Sequence, residues 1–354
     1  MDIFLFMIFI FSGMLIISAA KVYQQAQSNF LYGGIGIFLI ITSIFLDKSL
    51  LPDYEQYVSN FQITDFGFGL EPSFTLISCI VKYVFDNDVF WGFVIYIVLG
   101  ILIKLIAIKQ LTNLLLLSLA LYVSSYWLYH ELIQIRVGVA GAFFLLSIKP
   151  LYERNLKKFL LYSCVAILFH FSAVMILPLW FIRDRLNGMI IYVLLIPLSM
   201  LMYIFNLDLI SILRMLPIPI ISDKVEGYLL IAQIGDVNRK IITASEYNPF
   251  VTWYILKALI GIYLWLNVKR MRQFNCYAII LLKIYTIGIS LLWLLPSVPV
   301  IATRSSEFLS LVQIVLIPLF ISTVKQKRLG IVMLYIFGLI WIFWNVNSFL
   351  LVLL

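Results

Sequence analysis

The run VFWGFVIYIVLGILIKLIAI, residues 89–108, carries one charged side chain, Lys104, in its whole length. As an α-helix rising about 1.5 Å per residue it reaches roughly 30 Å, the depth of a bilayer's hydrocarbon core. Working outward, comparable apolar runs fall near 3–20, 31–46, 112–129, 132–148, 188–206, 250–268, 274–295, 305–323 and 329–348. Of 354 residues, 63% are hydrophobic and 12% charged. A soluble domain carries about 25% charged residues, so only lipid can solvate the surface of this chain. The expectation is an all-α polytopic membrane protein of about 10–11 transmembrane helices, forming a single integral membrane domain over residues 1–354. Asp2 in place of a basic leader, and the length of the 3–20 run, predict a retained first span and no cleaved signal peptide.

Two longer polar stretches, 47–88 and 207–249, separate the runs and are expected as long external loops. The net charge of +8 is scattered between apolar runs. That is how a membrane protein fixes its orientation, and it speaks against nucleic-acid binding. One set of connectors holds Lys21, Lys104, Lys109, Lys149, Arg154, Lys157, Lys158, Arg183, Arg185, Lys269, Arg270, Arg272, Lys325, Lys327 and Arg328. Those 15 bases face two acids, Glu153 and Asp184, whereas the two long stretches hold six bases and twelve acids. The basic set is therefore expected in the cytoplasm, with both long loops and both termini outside. The run 158–182 breaks the alternation, because Lys157 and Lys158 before it and Arg183 and Arg185 after it should lie on one side. Two half-helices of about 18 Å each, turning at His170, resolve the conflict. One tilted span with a local exception to the charge rule is the alternative.

Nucleotide-binding and soluble-hydrolase motifs such as GxGxxG, Walker A, HExxH and GxSxG are absent. Cys79, Cys164 and Cys276 are far apart and read as small buried hydrophobes. The candidates for chemistry are polar side chains in or beside apolar runs, where lipid makes them costly. His130-Glu131-Leu132-Ile133-Gln134-Ile135-Arg136 sits at the turn between the runs 112–129 and 132–148. The Arg136 fork suits a phosphate, and the plainer reading is an ion pair with Asp53 or Glu71. His130 and Gln134, four apart, share a helix face, although His130 reads equally as an interfacial side chain. His170, mid-run, can serve as a general base near neutral pH, or be satisfied by a neighbouring helix. Asp53-Tyr54-Glu55-Gln56-Tyr57 and Glu71-Pro72 interleave rings with carboxylates, which suits sugar binding, against a plainer reading as solvated loop acids. Asp86-Asn87-Asp88 matches a weak metal pattern. Arg304 and Glu307 can pair with each other at i,i+3, and Lys257 and Lys283 can snorkel or pair. Together these would gather both histidines, two arginines and several carboxylates toward the outer face.

The stretches Gln134–Ala140, Phe143–Lys149 with Tyr152-Glu153-Arg154, and Leu168-Phe169-His170-Phe171-Ser172-Ala173 resemble the EpsG-like, Wzy-type polysaccharide polymerases. So do Asp53-Tyr54-Glu55-Gln56-Tyr57, Glu71-Pro72-Ser73-Phe74, and Arg304-Ser305-Ser306-Glu307-Phe308. Departures are Leu46–Pro52 where the family carries an arginine and glycines, Arg136-Val137-Gly138 for Arg-Gln-Gly, and His170-Phe171-Ser172 for His-Pro-Ser. The resemblance implies a membrane glycosyltransferase acting at the periplasmic face of a bacterial inner membrane, with no cofactor and no metal. Its partners would be undecaprenyl-pyrophosphate-linked oligosaccharides as donor and acceptor, membrane lipid, and a chain-length regulator. Arg136 and Arg304 would hold the pyrophosphate, and His170 or His130 would be the base, with His170 favoured. Asp53, Tyr54, Tyr57, Glu71 and Gln134 would contact the acceptor or orient the base. The stretch 207–249, with Pro217, Pro219 and an amphipathic segment near 222–233, would cap the cavity. A lipid-linked oligosaccharide flippase is the alternative, though it would spread its cations across both sides. A membrane acyltransferase would need an earlier histidine than residue 130.

Overall fold

A computed structural model describes residues 2–19, 25–49, 51, 53–63, 71–186, 188–210 and 247–353, and every regular element among them is helical. Four helices among the described residues are long and apolar enough to cross a bilayer: Val89–Leu111, Ile135–Tyr152, Pro299–Ser322 and Lys327–Asn347. Shorter apolar helices accompany them, so the chain is an all-α polytopic membrane protein, as its composition requires. Pro217, Pro219, the 222–233 segment and Lys21 lie outside the described residues.

Two compact units form, Met1–Ile182 with Ile314–Leu354, and Arg183–Gln313. The first opens with α1 (Asp2–Ala19) and α2 (Gln25–Phe45), followed by two short helices, α3 (Tyr54–Phe61) and α4 (Pro72–Val84). The stretch 47–88 thus contains two helices, and α4 buries Phe74, Ile77 and Val81. Its polar composition hid this, because Asp47, Lys48 and Asp53 before α3 and Asp86 and Asp88 after α4 dilute the apolar positions of the two helices. Asp86 and Asn87 adopt positive φ in the turn after α4, and Asp88 caps the next helix by accepting from the Phe90 amide at 3.0 Å. The Asp86-Asn87-Asp88 pattern therefore has a turn-and-cap explanation.

Helix α5 (Val89–Leu111) is followed by α6 (Leu115–Tyr122), which widens without a break into a π-helix, Val123–Ile133. Long π-helices are rare, and here outside donors take up the carbonyls that the wide turn frees. Asn345 Nδ2 donates to Ser124 O and Ser125 O at 3.0 Å each. The turn expected at 130–131 lies instead at Gln134, which separates the π-helix from α7 (Ile135–Tyr152). His130 and Glu131 are consequently buried inside the helix, and Arg136 sits in the first turn of α7. Lys104 also changes place. It stands inside α5, fully buried against Glu131, and does not belong to the cytoplasmic tally.

The run 158–182 is a broken, re-entrant pair. Helix α8 (Leu156–Phe169) ends at His170, whose backbone is extended, and a 3-10 helix, Phe171–Phe181, follows. At about 1.5 and 2.0 Å per residue the two halves reach only about 21 and 22 Å, too short to cross singly. They fold back on each other: the rings of Phe159 and Trp180 meet in a tilted pair with centroids 5.3 Å apart. The Arg154 guanidinium lies 4.0 Å over Trp180 and donates to Trp180 O (2.7 Å) and Ile182 O (2.9 Å). The return half contains Pro178, which lacks an N–H and would clash with a carbonyl four residues back in an α-helix. Helix α7 packs between α5 and α8, so the broken pair leans on the centre of this unit.

The second unit is built on α9 (Met189–Ile204), α10 (Thr252–Leu266), α11 (Val268–Phe274), α12 (Ala278–Leu294) and α13 (Pro299–Ser310), with α12 packed against α9, α10 and α13. Lys283 on α12 is 3% exposed, and the Asp184 charge acts on it. It donates to Arg183 O and Arg185 O at 2.9 Å each and lies 4.8 Å over the Tyr192 ring. Cys164 and Cys276 are exposed and Cys79 half-buried, so the expected burial of the cysteines does not hold. Cys164 lies on α8, where an exposed side chain can still have apolar surroundings, whereas Cys276 lies in the turn between α11 and α12.

Candidate active site at the tip of the broken helix pair

Glu71 caps the start of α4, where Pro72 sets a helical φ and Phe74 N donates to Glu71 O at 2.8 Å. Ser73 Oγ donates to Leu168 O at 2.7 Å, tying that corner to the last turn of α8 and so to His170. The Glu71 carboxylate, 5% exposed, then divides its two oxygens. Oε2 accepts from Arg136 Nη1 at 2.5 Å, and Oε1 pairs with His170 Nδ1 at 2.9 Å. A carboxylate can only accept, so Nδ1 carries the proton of the neutral ring and Nε2 is left basic. Burial alone would raise the Glu71 carboxyl. The hydrogen bond from His170 and the Arg136 charge outweigh it and hold the group below the usual carboxylate range.

Arg136 and His170 remain 22% and 19% exposed, so the constellation is open on one side. The Arg136 guanidinium rests over two rings, 5.5 Å from the Tyr57 centroid and 5.6 Å from that of Phe74. The Tyr57 hydroxyl is a polar neighbour of the guanidinium. Below lies a belt of rings in which Phe61 stacks on Phe74 at 4.6 Å and Phe93 meets Tyr54, Tyr57 and Phe61. Tyr57 is therefore a buried prop for Arg136, with little face left for a sugar, and Tyr54 stacks on Phe93 at 5.5 Å. Asp53 occupies the position before α3, half-buried, with Tyr57 N donating to its carbonyl at 3.0 Å. Gln134 is half-buried at the joint before α7.

His130 is 3% exposed, with its ring 4.8 Å from that of Tyr126, and its Nδ1 has no hydrogen-bond partner among the described residues. Arg304 and Glu307 lie exposed on α13 of the second unit, where the charge of Arg304 acts on Glu307. The structure thus joins Glu71, Arg136, His170 and Tyr57 in one contact network. Sequence reasoning passed over Phe74 and Tyr96. Phe74 is three residues after Glu71, which places it on the same helix face. Tyr96, fully buried on α5, has Ser73, Arg136 and Glu71 as polar neighbours. No group of three His, Cys, Asp or Glu among the described residues is arranged to hold a metal ion.

Fold and site define a helical integral-membrane protein with an ion-paired, half-open polar centre at a re-entrant turn. The chain matches the EpsG family over residues 31–352 and belongs to that family. It is accordingly a membrane protein of the polysaccharide-polymerase type. No curated protein and no solved structure matches it.

Proposed function

We propose that the chain is a polysaccharide polymerase of a bacterial inner membrane. It moves a growing glycan from its undecaprenyl-pyrophosphate carrier onto the non-reducing end of a lipid-linked repeat unit at the periplasmic face. The observation that carries this reading is the single Glu71 carboxylate shared between Arg136 and His170. Held through Nδ1, His170 turns Nε2 toward an acceptor hydroxyl and takes its proton as the new glycosidic bond forms. The bond between the donor sugar and its pyrophosphate breaks, and the electron pair leaves on the pyrophosphate oxygen. Arg136, with donors beyond the one given to Glu71, stabilises that charge. The burial of His130 favours His170 as the base. Arg304 is a second candidate for the pyrophosphate, and Asp53, Tyr54 and Gln134 are candidates for the sugars. A chain-length regulator is the protein partner such an enzyme would meet. The cytoplasmic placing of the basic connectors, with both termini outside, belongs to the same proposal.

The test is the banding of surface polysaccharide after deletion and complementation. Deletion should leave single-repeat caps, and Arg136→Lys should fail to restore long chains. Normal lengthening with Arg136→Lys would overturn the pyrophosphate role. Complete loss of chains on deletion would point to a flippase, and full-length chains lacking a substituent to an acyltransferase.

A further inference from the structure

We infer that Lys104, Glu131 and Tyr122 are positioning residues that set Arg136 in the active site, an inference that rests on the polymerase reading above. Lys104 stands inside α5, fully buried, and its ammonium reaches two other elements at once. It donates to Glu131 Oε1 in the π-helix at 2.5 Å and to Gly138 O in α7 at 2.6 Å. The Tyr122 hydroxyl donates to the same Glu131 oxygen at 2.7 Å. Residues 131 and 138 are therefore both held from α5, and Arg136 lies between them. Within that interval the chain leaves the π-helix, passes through the non-helical Gln134 and starts α7. Local backbone bonds cross the interval, from Gln134 N to Tyr129 O and from Gly138 N to Gln134 O, and the Lys104 clamp adds the tie to a third helix, α5.

Two glycines let the clamp close. A β-carbon on Gly100 would land on the Glu131 carboxylate, and one on Gly138 would strike the backbone carbonyl of His130. Stability does not explain the arrangement, since well-packed apolar residues commonly replace a sealed ion pair without loss. What apolar residues cannot do is hold a carboxylate and a carbonyl at fixed distances from one point. The direction of Arg136 toward Glu71, over Tyr57 and Phe74, is the consequence.

The decisive variant removes the charges together, Lys104→Met with Glu131→Gln, so that the amide oxygen still accepts from Tyr122. In membranes supplied with the lipid-linked repeat unit, kcat for chain lengthening should fall about 10–100-fold with KM little changed, as expected for a misplaced catalytic group. Inhibition by added inorganic pyrophosphate should weaken in parallel, while the melting temperature in detergent stays at the wild-type value. A folded double variant with wild-type kcat and wild-type pyrophosphate inhibition overturns the inference. If the double variant does not fold, Tyr122→Phe decides. It keeps the ring, and its kcat should fall a few-fold, whereas an unchanged kcat and unchanged inhibition reject the positioning role. Arg136→Lys, run alongside, separates the two levels. If it lengthens chains normally the site assignment itself fails; if it is inactive while the clamp variants are not, only the clamp fails.

Discussion

Arg136–Glu71 and Lys104–Glu131 are both 2.5 Å ion pairs within one unit of the fold, yet they are built for different ends. The lysine pair is sealed at 0% and 1% exposure, and a tyrosine hydroxyl and a backbone carbonyl bond to its two members. The arginine pair is 22% and 5% exposed, rests on aromatic rings, and shares its carboxylate with a histidine that is itself partly open. Charge and distance alike would call them equivalent. What separates them is access: a substrate anion can compete for a half-open arginine, whereas nothing can reach a lysine closed on every side. A buried acid–base pair in a membrane protein is thus a site only when one of its members keeps a free face.

Breaking the sealed pair from one side should do the most damage. Lys104→Met alone leaves an uncompensated carboxylate in the core and should cost about 3–5 kcal/mol, read as a collapse of the folded fraction in detergent. Arg136→Lys should leave the fold intact and reduce chain lengthening by about 10²–10³-fold, the scale of losing one preorganised donor to a developing anion. Glu71→Gln should act next, at about 10-fold or more on rate, since it weakens the hold on His170 and leaves Arg136 unpaired. It also carries a signature in pH. The folded Glu71 carboxyl lies below its unfolded value, so its contribution to stability is whole above the unfolded carboxylate pKa of about 4.3 and fades as pH falls below that. Acid melting curves of the wild type should show this loss, and those of Glu71→Gln should lack it. Tyr57→Phe is the mildest, removing only a hydroxyl beside Arg136 and keeping the ring beneath it; an effect of about 0.5–1.5 kcal/mol on transition-state binding is expected. If Tyr57→Phe instead matched Arg136→Lys in severity, the ring would be a substrate contact and not a prop.

The broken pair shows how far linear reasoning reaches. Two basic clusters flanking one apolar run, Lys157-Lys158 and Arg183-Arg185, were enough to predict a turn at His170, because positive charge and chain parity are readable in order along the chain. Arg154 bonded to the carbonyls of residues 180 and 182 is the structural form of that prediction. The same reasoning misplaced Lys104, because a charge near the end of an apolar run looks alike whether it faces water or a buried partner 27 residues away. It also read 47–88 as a loop, since short helices with charged turns average to a polar composition. The π-helix carries no local signal in its own letters. Two of its carbonyls accept from Asn345, more than 200 residues downstream.

The sequence alone determined the solvent of this protein, its helical class, the choice at 158–182 between a turn at His170 and one tilted span, and the short set of side chains too costly to leave in lipid without a task. Each of these follows from hydrophobic length, charge order or the burial cost of one residue, all of which are local. Only the tertiary structure decided which acid serves Arg136, that His170 shares it, that Tyr57 lies beneath the guanidinium, and that Lys104 closes on Glu131. The partners in the site are 65 and 99 residues apart, and an ion pair is chosen by which helices pack side by side, a property of the whole bundle.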